Sequence, residues 1–124
     1  MGVAYHAHYL VWCEIARTDF IRQLGVTYAE LERSGIFLVV AEASIRYHAP
    51  ARYDDRIRVD AWLERVQSRA VTFGYEITRD DAVTGGRLAT ATTKLIAVDR
   101  GGAPCTFPGP LLRTFGEARA SVAD

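Results

Sequence analysis

The chain has 124 residues, enough for one domain with a buried core and too few for two. Its 15 basic and 15 acidic residues cancel, and no basic run or basic–aromatic interleaving appears, so nothing favours a nucleic-acid partner. No apolar run suggests a membrane-spanning helix, and the opening residues lack the pattern of a signal peptide.

In chain order, residues 7–24 (AHYLVWCEIARTDFIRQL) read as a helix. Tyr9, Leu10, Cys13, Phe20, Ile21 and Leu24 recur at helical spacing, and Trp12, Ile15 and Ala16 widen the apolar stripe. Glu14, Arg17, Thr18 and Arg22 are assigned to the narrower polar face. A helix this apolar is expected to be wrapped by the rest of the protein. Gly25 is a natural stop. Thr27 with Glu30 has the spacing of a capping box and predicts a short helix over 28–33, ended by Ser34-Gly35.

Alternating strands follow. Val39, Ala41, Ala43, Ile45 and Tyr47 are expected on one strand face, with Glu42, Ser44, Arg46 and His48 on the other. Ile57, Val59, Ala61 and Leu63 alternate with Arg58, Asp60, Trp62 and Glu64, and Val71, Phe73, Tyr75 and Ile77 with Thr72, Gly74, Glu76 and Thr78. A fourth strand runs from Arg87 to Val98, where Ala89 and Ala91 leave room for a helix to pack closely. Turn-forming residues separate these runs, and a single helical turn is expected near 110–115. The order is therefore long helix, short helix and about four antiparallel strands, an α+β arrangement in which a sheet curls around a helix. Open sheet edges need pairing, which predicts a homo-oligomer.

Common chemical motifs are absent. The glycines form neither GxGxxG nor GxxxxGK, and no GxSxG elbow is present. His6 and His8 are two residues apart, the wrong spacing to share a metal on one helix face. Cys13 and Cys105 have no zinc-site spacing, and two lone thiols suit the cytoplasm. No metal site is expected. Met1-Gly2 is not read as a myristoylation signal, because position 6 is His6 rather than Ser or Thr.

The opening GVAYHAHYLVWCEIARTDFIRQLG resembles the signature of the 4-hydroxybenzoyl-CoA thioesterase family, particularly the acyl-CoA thioesterases associated with the Tol-Pal operon. Gly2, Val3, Tyr5, His6, Tyr9, Glu14, Ala16 and Arg17 carry the resemblance. The later YHAPARYDD stretch, Ser68-Arg69 and the LIAVD stretch ending at Asp99 extend it over nearly the whole chain. The N-terminal motif is specific; the strand matches alone are not. The resemblance implies a single hotdog domain over 1–124, with an antiparallel sheet wrapped around a long central helix. It implies hydrolysis of an acyl-CoA thioester by a homodimer or homotetramer. Coenzyme A enters as part of the substrate, and no separate cofactor is required. In this family a first strand ends in an Asp that acts as base or nucleophile, and that position falls ahead of Met1. The expectation is a chain without that strand and its carboxylate, either through its assigned start or through loss of the acid.

Site residues follow from the resemblance. It places His6 at the mouth of the long helix, with its backbone amide as an oxyanion donor and its imidazole able to assist proton transfer. Tyr5 joins it in the catalytic set, and Gly2 and Val3 in the substrate-binding set. Position alone favours an ordinary, partly exposed helix-start histidine; the family match favours the functional role. Tyr9 is either a wall of the acyl pocket or core packing. Glu14 either pairs with Arg17, three residues on, or replaces the missing carboxylate. Ser68 and Arg69 match a stretch that lies near the coenzyme A phosphates in the family, a task suited to Arg. Lys94 is a weaker phosphate candidate. The rival functions are an acyl-CoA-binding module without turnover and a hotdog hydratase or dehydratase, whose Asp/His motif is not found.

Overall fold

Helix α1 spans His6–Gln23 and α2 spans Tyr28–Arg33, within a residue of expectation. The structure is a computed structural model; it describes residues 6–52, 55–80 and 86–122, with side chains from 8 to 119. Both helices stop at glycines with positive φ, Gly25 at 88° and Gly35 at 91°. There Val26 N–H reaches back to the Ile21 carbonyl, and Ile36 N–H to that of Leu31, capping carbonyls the helices leave open. At the front of α2 the Thr27 hydroxyl accepts the Glu30 N–H at 3.1 Å, as the capping spacing predicts.

Strands β1 (Phe37–Tyr47), β2 (Ile57–Val66), β3 (Ala70–Arg79) and β4 (Arg87–Val98) form one antiparallel sheet in the order β1-β4-β3-β2. One face receives α1. Its rows include Tyr47–Ala89–Ile77–Val59 and Ala43–Thr93–Phe73–Leu63. Tyr9, Cys13 and Ile21 of α1 are buried with Phe73, Tyr75, Ile77, Ala89 and Ala91. This is the hotdog arrangement the resemblance implies.

Four expectations need correction. A bulge between Val40 and Glu42 shifts the pairing of β1. Val40 shares a face with Ala43, Ile45 and Tyr47, while Val39 turns to the other side. The extra residue resets the two-residue period. Next, α1 is wrapped on one side only. Leu10, Val11 and Ile15 are 44–63% exposed, because four strands cover one face of a helix. Third, Arg17 lies on the buried stripe, in step with Tyr9, Cys13 and Ile21, and is only 7% exposed. Last, the single turn expected near 110–115 is helix α3, Gly109–Val122. Its Leu111, Phe115 and Ala118 are buried, Phe115 meets Phe107 edge-on at 5.5 Å, and the helix packs on β2.

On the face away from α1, Trp62 lies across Gly74. A Cβ at Gly74 would come within 2.6 Å of the indole, so this strand position requires glycine.

Candidate active site

The front of α1 is the first place to seek chemistry. The described part of α1 starts at His6, at the end of the helix that carries the positive pole of its dipole. Gly2, Val3, Tyr5 and the His6 imidazole lie outside the described residues. The backbone from His6 onward is described, and His6 is the first residue of α1.

Around that first turn stand Tyr9, Trp12, Tyr47 and Ala51. The Tyr9 ring packs against Trp12 and meets Tyr47 edge-on, each at 5.0 Å between centroids. Its hydroxyl accepts the Ala51 N–H at 3.0 Å, and the residue is 2% exposed. Of the two readings open for Tyr9, the described contacts are those of core packing and a backbone tether.

The loop carrying Ala51 is held in turn. The N–H groups of His48 and Ala49 donate to the Leu88 carbonyl. Arg79, ending β3, donates to the Pro50 carbonyl and pairs with Asp55 at 3.2 Å. Asp55 also accepts the Arg52 N–H at 2.7 Å. That backbone bond, with help from Arg79, holds the Asp55 carboxyl below the usual carboxylate range despite some desolvation. The chain from Arg79 through Asp55 and Ala51 to Tyr9 ties the helix front to the end of the sheet.

From Trp12 a groove of about 550 Å³ runs along α1 beside β2. Trp12, Ile15, Ala16, Ile57 and Val59 give it an apolar lining, while Glu14, Asp19 and Arg22 supply polar groups.

The Glu14–Arg17 pair does not form. Glu14 is exposed, eight residues along α1 from His6, which is about 12 Å of helix rise. A carbonyl held by the front amides is therefore out of its reach within one protomer. Arg17 turns inward instead. Its Nε donates to the Tyr28 hydroxyl and its Nη1 to the Tyr75 hydroxyl, both at 3.2 Å, and Tyr75 is 2.7 Å from the Thr93 hydroxyl. Burial works to lower the Arg17 pKa, but the charge and hydrogen bonds of the two phenols outweigh it, and the pKa is raised. Burial also raises Tyr75 and pushes the neighbouring Cys13 thiol up to about 11, with Arg17 opposing both. The clue to this buried network was the four-residue step from Tyr9 through Cys13 to Arg17.

At the other end of the sheet, Ser68 and Arg69 stand in the β2–β3 turn and share a cavity of about 370 Å³ with Lys94. Two cations and a hydroxyl at one opening suit a phosphate. Among the described residues, no group of His, Cys, Asp and Glu is placed to hold a metal ion.

The sheet wrapped on α1, with the front of that helix tied to the sheet end, defines the class as a hotdog-fold protein of the thioesterase type. The chain belongs to the thioesterase-like superfamily, whose family model matches residues 1–115. It is 35% identical over 100 residues to a putative acyl-CoA thioesterase, YneP, of Bacillus subtilis, covering 81% of this chain and 70% of that protein. It is 33% identical over 116 residues to the acyl-CoA thioesterase YbgC of Haemophilus influenzae, covering 92% and 82%. The crystal structure of a DHNA-CoA thioesterase from Staphylococcus aureus superposes with a TM-score of 0.89 at 28% identity, covering 99% of this chain and 83% of that one.

Proposed function

We propose that the protein hydrolyses an acyl-CoA thioester to a free acid and coenzyme A. The observation that carries this reading is the front of α1 at His6, tied to the sheet end through Tyr9 and lying beside the apolar groove that begins at Trp12. The front amides, His6 first among them, polarise the thioester carbonyl. Water adds to the carbonyl carbon as a carboxylate takes its proton. The tetrahedral oxyanion is held by the amides; it collapses, and the C–S bond breaks. The thiolate leaves and takes up the proton. No further cofactor enters.

The carboxylate is brought to the front by a segment outside the described residues or by a second copy. Within its own protomer, Glu14 lies too far along the helix for this role. The His6 imidazole and Tyr5 assist at the same end, where Gly2 and Val3 contact substrate. The acyl group lies in the groove at Trp12, and the coenzyme A phosphates meet Ser68, Arg69 and Lys94 of a second copy, since within one protomer these stand at the opposite end of the sheet. A second copy pairs along β1, an edge strand among the described residues, 11 residues long with neither Lys nor Pro and with Val39 and Val40 exposed. The two thiols, Cys13 and Cys105, are free, which fits a cytoplasmic protein.

The test is release of free thiol from short aliphatic and aromatic acyl-CoAs, by this chain and by one extended upstream. Turnover by either supports the reading. Saturable binding without turnover by both would favour the acyl-CoA-binding module instead.

A further inference from the structure

We infer that Tyr9 is a positioning residue. Through its hydrogen bond to the Ala51 N–H, it sets where the front amides of α1 stand relative to the sheet. This rests on the thioesterase reading and goes beyond it, because it assigns the Tyr9 phenol to the loop rather than to substrate.

The argument begins with the position of Tyr9. It is the fourth residue of α1, so its own amide belongs to the first turn of the helix as described. The ring is buried against Trp12 and Tyr47, while its hydroxyl accepts the Ala51 N–H at 3.0 Å. Ala51 is fully buried, so without the phenol its N–H would lack the acceptor the structure provides. The loop at the other end of this bond is anchored in turn. Leu88 fixes it through His48 and Ala49, and Arg79 fixes it through Pro50 and Asp55.

A helix front is otherwise the part of a helix most prone to fray. Amides that stabilise an oxyanion act only when held in place before charge develops. A displacement of the order of an ångström costs roughly 100-fold in rate. A tether in the first turn, anchored to the sheet end, supplies that hold. Tyr9 does not touch the reacting atoms; it acts through the backbone of its own helix turn.

The experiment compares Tyr9→Phe with the unaltered protein, after wild-type turnover has been measured. The substitution keeps the ring packing and removes one oxygen. The expected result is a kcat lowered roughly 10- to 100-fold, with KM and the affinity for a non-hydrolysable acyl-CoA thioether nearly unchanged. The Ala51 amide should also exchange faster with solvent. Unchanged kcat, with or without faster exchange, would overturn the proposal. So would a loss of rate that merely follows a loss of folded protein, or one accompanied by an equal rise in KM. Should neither this chain nor the one extended upstream show turnover, the functional reading fails first and the positioning role falls with it.

Discussion

The two halves of α1 are held to the sheet by different means. The middle is fastened from inside: Cys13 and Arg17 are buried, and the guanidinium links α2 through Tyr28 to β3 and β4 through Tyr75 and Thr93. The front is fastened from beside, through the Tyr9 hydroxyl and a loop itself pinned by Arg79. The first arrangement secures the fold. The second leaves the front amides open while fixing their place. Damage to the middle should therefore appear as lost stability, and damage to the front as lost turnover.

The sharpest way to break the middle is Arg17→Met. It leaves the Tyr28 and Tyr75 hydroxyls without the guanidinium that donates to them, which costs about 3 kcal/mol. Urea unfolding should show this as a lower midpoint at the same slope, with kcat per folded molecule within about twofold, since the front is untouched. A large fall in kcat at unchanged stability would erase the distinction between the halves.

The thiols provide a gentler test. Burial has pushed Cys13 up to about 11, so near pH 8 it is almost wholly protonated and inaccessible, whereas Cys105 is only half-buried. A thiol reagent should label Cys105 first, and Cys13 only on unfolding or in Arg17→Met. Equal labelling in the native protein would show the middle to be loosely held.

The smallest effect concerns the loop. The Asp55 carboxyl sits below its usual range in the fold, chiefly through the Arg52 N–H. Its contribution to stability is thus complete above the ordinary carboxylate value of about pH 3.9 and is lost as pH falls through the lower folded value. The stability difference between wild type and Asp55→Asn should persist at neutral pH and close in strong acid. A gap independent of pH would contradict this role for Asp55.

These contrasts also explain what could be read in advance. The Thr27–Glu30 spacing and the glycines after Leu24 and Ser34 carry α1 and α2, because caps are local chemistry. Strict alternation carries β2 and β3. In β1, Leu38, Val39, Val40 and Ala41 are all apolar, so the two-residue period has no phase there and the bulge leaves no mark. In α3, Pro110 and Gly116 mask the stripe formed by Leu111, Phe115 and Ala118. Arg17 was assigned by charge to the wet face, though its four-residue step from Cys13 places it inside. The helix front at His6 was legible through a family motif. The Tyr9–Ala51 bond, which joins residues 42 apart in sequence, leaves no local trace.

The most direct measurement removes the amide at the helix front. His6 is the first helical residue, a position where proline keeps the backbone geometry and lacks only the N–H. If that donor steadies the oxyanion, His6→Pro should lower kcat by about 100-fold or more beyond His6→Ala, with melting temperature and acyl-CoA affinity little changed. Equal kcat in the Pro and Ala variants, both folded, would contradict the account.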